Sequence, residues 1–339
     1  MPKGRILHLT LTSVYSRIGR RLSAAQRGAL SHLPAFFLFA CTPQYQGDAP
    51  APGFRKTQIY ILPSGKATVQ GLDLLFFQGA PRYLLDAWQH IDTPEGASVT
   101  GTSSSAAETL VALSNYRSGS WSAIRSRESL GEIRFRLADE DPAAPMLYGS
   151  APAGETGKLV LSPMLARITL HSVACDFSRR PYAGEKLRDV RAYLTYASAE
   201  CSPFRPAEPP SAWINAGRLD EVETAFLAHP ETVLRDISPS LGGRIYPEAD
   251  FFCYPNPSDG QEFGRPVTRL VIEGRLRGTR YYYPIDLPSL EADVRYGLDV
   301  TLLRAGSTDP DVPVSSGTIL LENRVMDWDG RVWDDVHFR

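Results

Sequence analysis

The chain is short of the groups on which most catalysis depends. Its 339 residues hold only six histidines and four cysteines. From residue 41 onward the histidines are His90, His171, His229 and His337, and none forms an HExxH or H-x-x-x-H pair, so a zinc centre has no motif behind it. No CxxC pair is present, which removes the zinc-knuckle and thioredoxin patterns. There is no G-x-S-x-G elbow or S-x-x-K motif, and no G-x-G-x-x-G or Walker loop. The acidic stretch "DWDGRVWDD" (327–335) lacks the ligand spacing of an EF-hand, and "STDPD" (307–311) reads as an acidic turn. No catalytic set, metal site or cofactor site nominates itself. Apolar runs of about 18 residues are also missing, so no helix spans a membrane. Residues 1–40 carry six basic side chains and no acidic ones, which leaves 30 basic against 38 acidic side chains in residues 41–339, a charge of −8. A mildly acidic body does not suit a nucleic-acid partner.

The N-terminal region combines that positive charge with a short apolar stretch, Leu33 to Ala40, ending at Cys41. A basic region, an apolar region and a small residue before the cut make an export signal. "LFAC" further resembles a bacterial lipobox, in which the cysteine becomes the lipidated N-terminus. Residues 1–40 are therefore expected to be a lipoprotein signal peptide and Cys41 the lipidation site. An ordinary signal peptide with an incidental cysteine, or a buried apolar segment, stays open beside that reading. Residues 41–56 are rich in Pro, Gly and polar side chains and read as a flexible tether. Cys175, Cys201 and Cys253 are either three small buried hydrophobes or one disulfide and a free thiol.

The body is dominated by strand signals. "TQIYILP" (57–63) alternates, "GLDLLFFQG" (71–79) is apolar almost throughout as in a strand buried on both faces, and "ETLVALSN" (108–115) follows. A helix is expected at "SRESLGEIRFRL" (126–137), behind a serine cap, with Leu130, Ile133 and Leu137 at helical spacing. "KLVLSP" and "MLARITLHSVACDF" add strands. A boundary is expected where "DFSRRPYAGE" (176–185) turns to loop composition, giving domains at 57–178 and 179–339. In the second, "DVRAYLTYAS" and "ADFFC" read as strands and "EVETAFLAHPETVLRDI" (221–237) as holding a short helix. "TRLVIEGRL", a turn at "RGT" and "RYYYPIDL" form an antiparallel hairpin, with Pro284 confining the second strand to an edge or bulge. "RYGLDVTLLRAG" follows, turning Tyr296, Leu298, Val300 and Leu302 inward. The fold class expected is all-β, with one or two short helices.

With these residues in hand, the run "YYYPIDL…VTLLRAGSTDPDVPVSSG" and its final strand "…MDW" resemble the C-terminal domain of type V fimbrial subunits of anaerobic Gram-negative bacteria. "VQGLDLLFF" and "MLARITLHSV" resemble strands of the first domain, the latter its closing strand, and "WINAG" and "FFCYPNPSDG" resemble the lipoprotein fimbrium-anchor branch. The resemblance implies two tandem β-sandwiches of transthyretin-like topology and no enzymatic activity. It implies an outer-membrane lipoprotein in a surface fimbrium, contributing to cell adhesion and joined to other fimbrial subunits by strand exchange. In stalk subunits a protease removes the first strand, and a neighbour's C-terminal strand fills the groove. Mapped here, 57–63 is the displaceable strand and Lys66 the possible cleavage site, since Arg55 and Lys56 are read as preceding the strand. The absence of an arginine after that strand favours an anchor that keeps it, with a stalk or tip subunit cut at Lys66, or a glycan- or host-binding lipoprotein, as alternatives. Residues from 317 onward would carry the assembly strand, with Ile319, Leu321, Val325 and Trp328 facing a groove. The loop 305–316 would be its hinge.

Overall fold

The computed structural model describes residues 53–334, apart from 66, 93–97, 117–120, 155, 179–180, 205–209, 218–221 and 261–263. The export segment, Cys41 and Lys66 lie outside the described residues. Among those described, strands dominate and the one α-helix is a single turn, α1 (Arg127–Gly131).

Alternation builds the first half. β1 (Phe54–Pro63) buries Thr57, Ile59 and Ile61 and exposes Gln58, Tyr60 and Leu62. It starts earlier than its apolar residues imply. Arg55 and Lys56, expected before the strand, pair within it with Ser103 and Thr102. The Arg55 guanidinium anchors this end by donating to Ala107 O (2.7 Å) and Ala153 O (3.0 Å). β2 (Leu72–Gln78) is buried on both faces, as its unbroken apolar run predicts. With β3 (Leu85–Ile91), β4 (Ser98–Ser104), β5 (Ala107–Ser114), β7 (Leu147–Pro152) and β8 (Thr156–Pro163) these strands form one sheet, in the order β3-β2-β5-β7-β8-β1-β4. The sheet curls until its edges meet, where Asp86 on β3 accepts from the Ser104 amide (2.7 Å) and hydroxyl (2.5 Å) on β4. Inside the curl lie Ile59, Ile61, Leu72, Leu74, Phe76, Leu110 and Leu159.

The helix is shorter than its periodicity suggests. Ser126 caps α1 through a reciprocal pair of bonds with Ser129, as read, but the helix stops at Gly131. Phe135–Arg136 instead form β6, paired with β12 (Glu200–Cys201), and Leu137 is buried from a 3₁₀ turn.

Among the described residues, β9 (Ala166–Cys175), the strand likened to the close of a first domain, pairs only with strands of the second half. It lies between β19 (Val294–Leu302), which runs parallel to it, and β15 (Arg244–Ile245) and β16 (Ala249–Cys253). β20 (Ile319–Asp327) and the short β21 (Val332–Asp334) continue this sheet. Against it packs a four-stranded sheet, β14-β10-β17-β18, of β14 (Leu234–Leu241), β10 (Leu187–Thr195), β17 (Arg269–Leu276) and β18 (Thr279–Asp286). Two short strands, β11 (Ala197–Ser198) and β13 (Trp213–Ile214), pair beside it. Where a helix was expected in 221–237, a 3₁₀ turn at Pro230–Thr232 leads into β14, which is held as a strand by its ladder to β10.

The hairpin has the expected register, from Arg269 opposite Asp286 to Leu276 opposite Thr279. Arg277 and Gly278 both take positive φ (51° and 85°), the type I′ geometry that suits strand twist. β18 is an edge strand, which accommodates Pro284. The tyrosines pack: Tyr283 is fully buried, Tyr282 joins Tyr193 and Val271 on the outer face, and Tyr281 is half-buried. They form no exposed platform for stacking a sugar.

A titratable pair crosses the β2–β3 ladder. His90 Nδ1 lies 2.8 Å from the buried Asp73 carboxylate, and its other ring nitrogen lies 3.1 Å from Asp92. The hydrogen bond to Asp73 raises the His90 pKa, against a smaller opposing effect of burial. A raised folded-state value means that the pair's stabilisation is present in full below the unfolded imidazole pKa. It fades as pH rises through the folded value. In urea titrations the deficit of His90→Gln relative to the parent is expected to be largest near pH 5–6 and to shrink toward pH 8–9. A deficit independent of pH would show that the charged pair contributes nothing.

Candidate functional site

β1 is paired along both of its edges. It runs antiparallel to β4 over Phe54–Tyr60 and parallel to β8 over Gln58–Pro63. Its inward side chains reach the curled sheet's interior, and the Ser64 amide extends the ladder to Leu161 O (2.7 Å). Lifting β1 out would leave facing rows of unpaired amides on β4 and β8. It would also bare Leu72, Leu74, Phe76 and Leu159. Two buried isoleucines at about 1.5–3 kcal/mol each, plus two ladders, make that groove costly to leave empty. The occupant is imperfect at one position, because Thr57 Oγ1 is buried without a hydrogen-bond partner.

The C-terminal residues named from sequence come together on one element. Ile319, Leu321 and Val325 lie half-buried on β20, packed against the core, while Leu320, Glu322 and Arg324 point outward. β20 pairs with β19 along its whole length, from Ile319–Leu302 to Asp327–Val294. Trp328, in the turn after β20, is buried, 6.0 Å from the Phe252 ring and beneath the Arg167 guanidinium (5.8 Å). In this structure the strand occupies the chain's own sheet. The loop 305–316 is fastened along the edge strand β18. Tyr282 N donates to Ser307 O (2.7 Å) and Ser307 N to Tyr282 O (2.9 Å). The Tyr283 hydroxyl donates to Arg304 O (3.0 Å), and Arg269 Nη1 to Asp311 O (3.3 Å). A swing of the hinge would begin by breaking these bonds.

Sequence reasoning missed the contact between the two ends of this system. The Ser64 hydroxyl sits 2.9 Å from both carboxylate oxygens of Asp293, just before β19. Gly65 lies against Asp329, in the turn between β20 and β21. The first contact spans 229 residues, and no local pattern signals it.

Elsewhere, Cys175, Cys201 and Cys253 are free and buried. Burial pushes their thiols up to about 11, about 12 and about 12, which keeps them protonated and inert. Of the two readings left open for them, the structure holds three small buried hydrophobes. A concavity of about 580 Å³ on the outer face of the four-stranded sheet is lined by Asp189, Asp236, Arg275 and the Glu273 salt-bridge network. Within it the Glu273 carboxylate is committed to Arg191 (3.0 Å) and Arg280 (3.3 Å). Among the described residues no group of three His, Cys, Asp or Glu side chains is placed to hold a metal ion.

The body is thus all-β, a curled seven-stranded sheet and a two-sheet sandwich, with its first strand paired on both sides. No protein-family model matches the chain, and no curated protein matches its sequence. Solved structures do match. A Bacteroides eggerthii protein put forward as a cell adhesion protein superposes with a TM-score of 0.65 at 18% identity, over 82% of this chain and 97% of that one. The Porphyromonas gingivalis fimbrilin FimA does so with a TM-score of 0.61 at 13% identity, over 81% and 97%. The tip fimbrial protein Mfa3 of the same species, with a C-terminal truncation, gives 0.50 at 11% identity, over 81% and 100%. The chain has the fimbrillin-like β-sandwich fold.

Proposed function

We propose that this chain is a non-enzymatic structural subunit of a surface fimbrium. In this reading it is held in the outer membrane by acyl chains on Cys41, sits at the fimbrial base, and joins other subunits by strand exchange. The observation that carries the reading is the fold, shared along nearly the whole length of the fimbrial and adhesion proteins it superposes on. The placement of β1 supports exchange: a single alternating strand fills a groove that a second strand of the same pattern would fit. "LFAC" supports the lipid anchor, since two or more acyl chains hold a protein stably on a membrane. The base position rests on residues 64–71, where Lys66 is the one basic side chain between β1 and β2.

Replacing Cys41 with alanine tests this directly. The variant is expected to leave the membrane fraction and its filaments to be shed into the medium; unchanged attachment would refute the lipid anchor. Sequencing the N-terminus of the assembled subunit separates base from stalk or tip. A chain beginning at Cys41 keeps β1, whereas one beginning at Ala67 has lost it to cleavage after Lys66.

A further inference from the structure

The turn that ends β1 is also the seat of the C-terminal hairpin. Ser64 donates its hydroxyl to Asp293, whose own backbone has a φ of +64° and whose N–H donates to Leu165 O (3.0 Å). Val294, the next residue, pairs with Asp327 at the far end of the β19–β20 ladder. Gly65, at φ +61°, has the Asp329 carboxylate directly over it: a Cβ there would fall 2.1 Å from Oδ1 and 2.4 Å from Cγ. The β20–β21 turn is itself closed by Gly330 N to Asp327 O (2.9 Å) and Arg331 N to Asp327 Oδ1 (2.7 Å). Two consecutive residues after β1 thus touch the residues that flank the C-terminal ladder, just before β19 and just after β20.

That end is poised to open. Burial raises the Asp293 carboxyl above its ordinary range, with the Ser162 and Ser64 hydroxyls opposing and the charges of Asp327 and Asp329 adding to the rise. Removing a hydroxyl donor from three crowded carboxylates leaves repulsion behind. Beyond this turn, β20 is held by its ladder to β19 on one side alone. Its inward residues are only half-buried, and β21 pairs only with Val325 and Met326, so the outer edge of Ile319–Arg324 faces no strand among the described residues.

We propose that Ser64 and Gly65 form a latch on the β20–β21 turn, so that losing or displacing β1 loosens the C-terminal strand from β19. The biological use of the latch rests on the strand-exchange reading: an incoming strand that displaces β1, whether or not β1 has been cut away, would free the last strand for donation. The coupling itself belongs to the monomer. Hydrogen exchange measured on the purified full chain tests it. In Ser64→Ala, and separately in Gly65→Ala, which forces Asp329 aside, amides of 319–327 are expected to exchange about five- to tenfold faster, with those of β5 and β9 unchanged as the control for folding. Ile59→Ala, which loosens β1 itself, is expected to speed exchange in β20 as well as in β1 and β4. That added effect should vanish in the Ser64→Ala background, where the coupling is already cut. If Ile59→Ala leaves β20 unchanged, or the Ser64 and Gly65 variants do, the latch is overturned. If β20 loosens as stated while monomers with β1 removed fail to join one another, the latch stands and strand exchange falls.

Discussion

Replacing Ile59 with alanine is expected to lower the unfolding free energy by about 2–5 kcal/mol, read from urea titrations with an unchanged m-value. Ile59 is 0% exposed at the centre of β1, and its neighbours are the interior residues of a sheet that has closed on itself. β1 is laddered to β4 on one side and β8 on the other, so its backbone cannot move in to fill the space the missing carbons leave. A poorly collapsing site puts the cost in the upper part of that range. The adjacent inward position reverses the sign. Thr57 carries a buried hydroxyl without a partner, so Thr57→Val keeps the shape, removes the unsatisfied group and is expected to be neutral or stabilising. Together the two variants measure the groove rather than the strand's general importance. A loss below about 1 kcal/mol at Ile59 would mean that β1 is not what fills the interior, and the case for a groove that a second strand must occupy would go with it.

How far sequence reached follows from where each signal is stored. The β17–β18 hairpin was legible because its turn, its alternation and its proline are local properties of consecutive residues. β2 was legible because being buried on both faces leaves no polar position in its centre apart from Asp73, which the structure pairs with His90. β3, β4 and β7 were not. Of these, "SVTGTSS" has one large apolar side chain, and it is a strand because β1 lies beside it residue for residue, from Phe54–Ser104 to Tyr60–Ser98. The helix at Ser126 began where its cap predicts. It ended early because Phe135 and Arg136 find partners in Glu200 and Cys201, far along the chain. The same holds at the site. Thr57, Ile59 and Ile61 could be picked out by period two, and so could Ile319, Leu321 and Val325. What binds the two strands' ends together, Ser64 to Asp293 and Gly65 to Asp329, is a product of tertiary packing with no periodicity of its own.

Gly306→Ala is expected to destabilise the chain by about 2–4 kcal/mol and to make it self-associate. A Cβ at Gly306 would lie 2.2 Å from the Tyr282 carbonyl oxygen and 3.0 Å from the Tyr283 ring. Neither neighbour can give way: the carbonyl belongs to the β18 backbone, and the ring is fully buried. The loop must therefore lift by about 1.2 Å to regain ordinary 3.4 Å contact, which stretches both bonds between Tyr282 and Ser307 beyond hydrogen-bonding range. Two lost backbone bonds account for about 1–3 kcal/mol, and the Tyr283–Arg304 bond and local packing for the rest. Exposing the edge has its own consequence. Pro284 has no N–H and blunts one end of β18, but Thr279–Tyr283 would be left with unpaired groups facing solvent, a template for a second chain. Sedimentation and thermal unfolding check both effects. A freely swinging hinge would tolerate the added methyl, so a monomeric variant with the parent's Tm would mean that 305–316 does not guard this edge. A destabilised, self-associating one would mean that the segment 305–316 covers the β18 edge, so that, in the strand-exchange reading, a hinge moving there would uncover that edge as it moved.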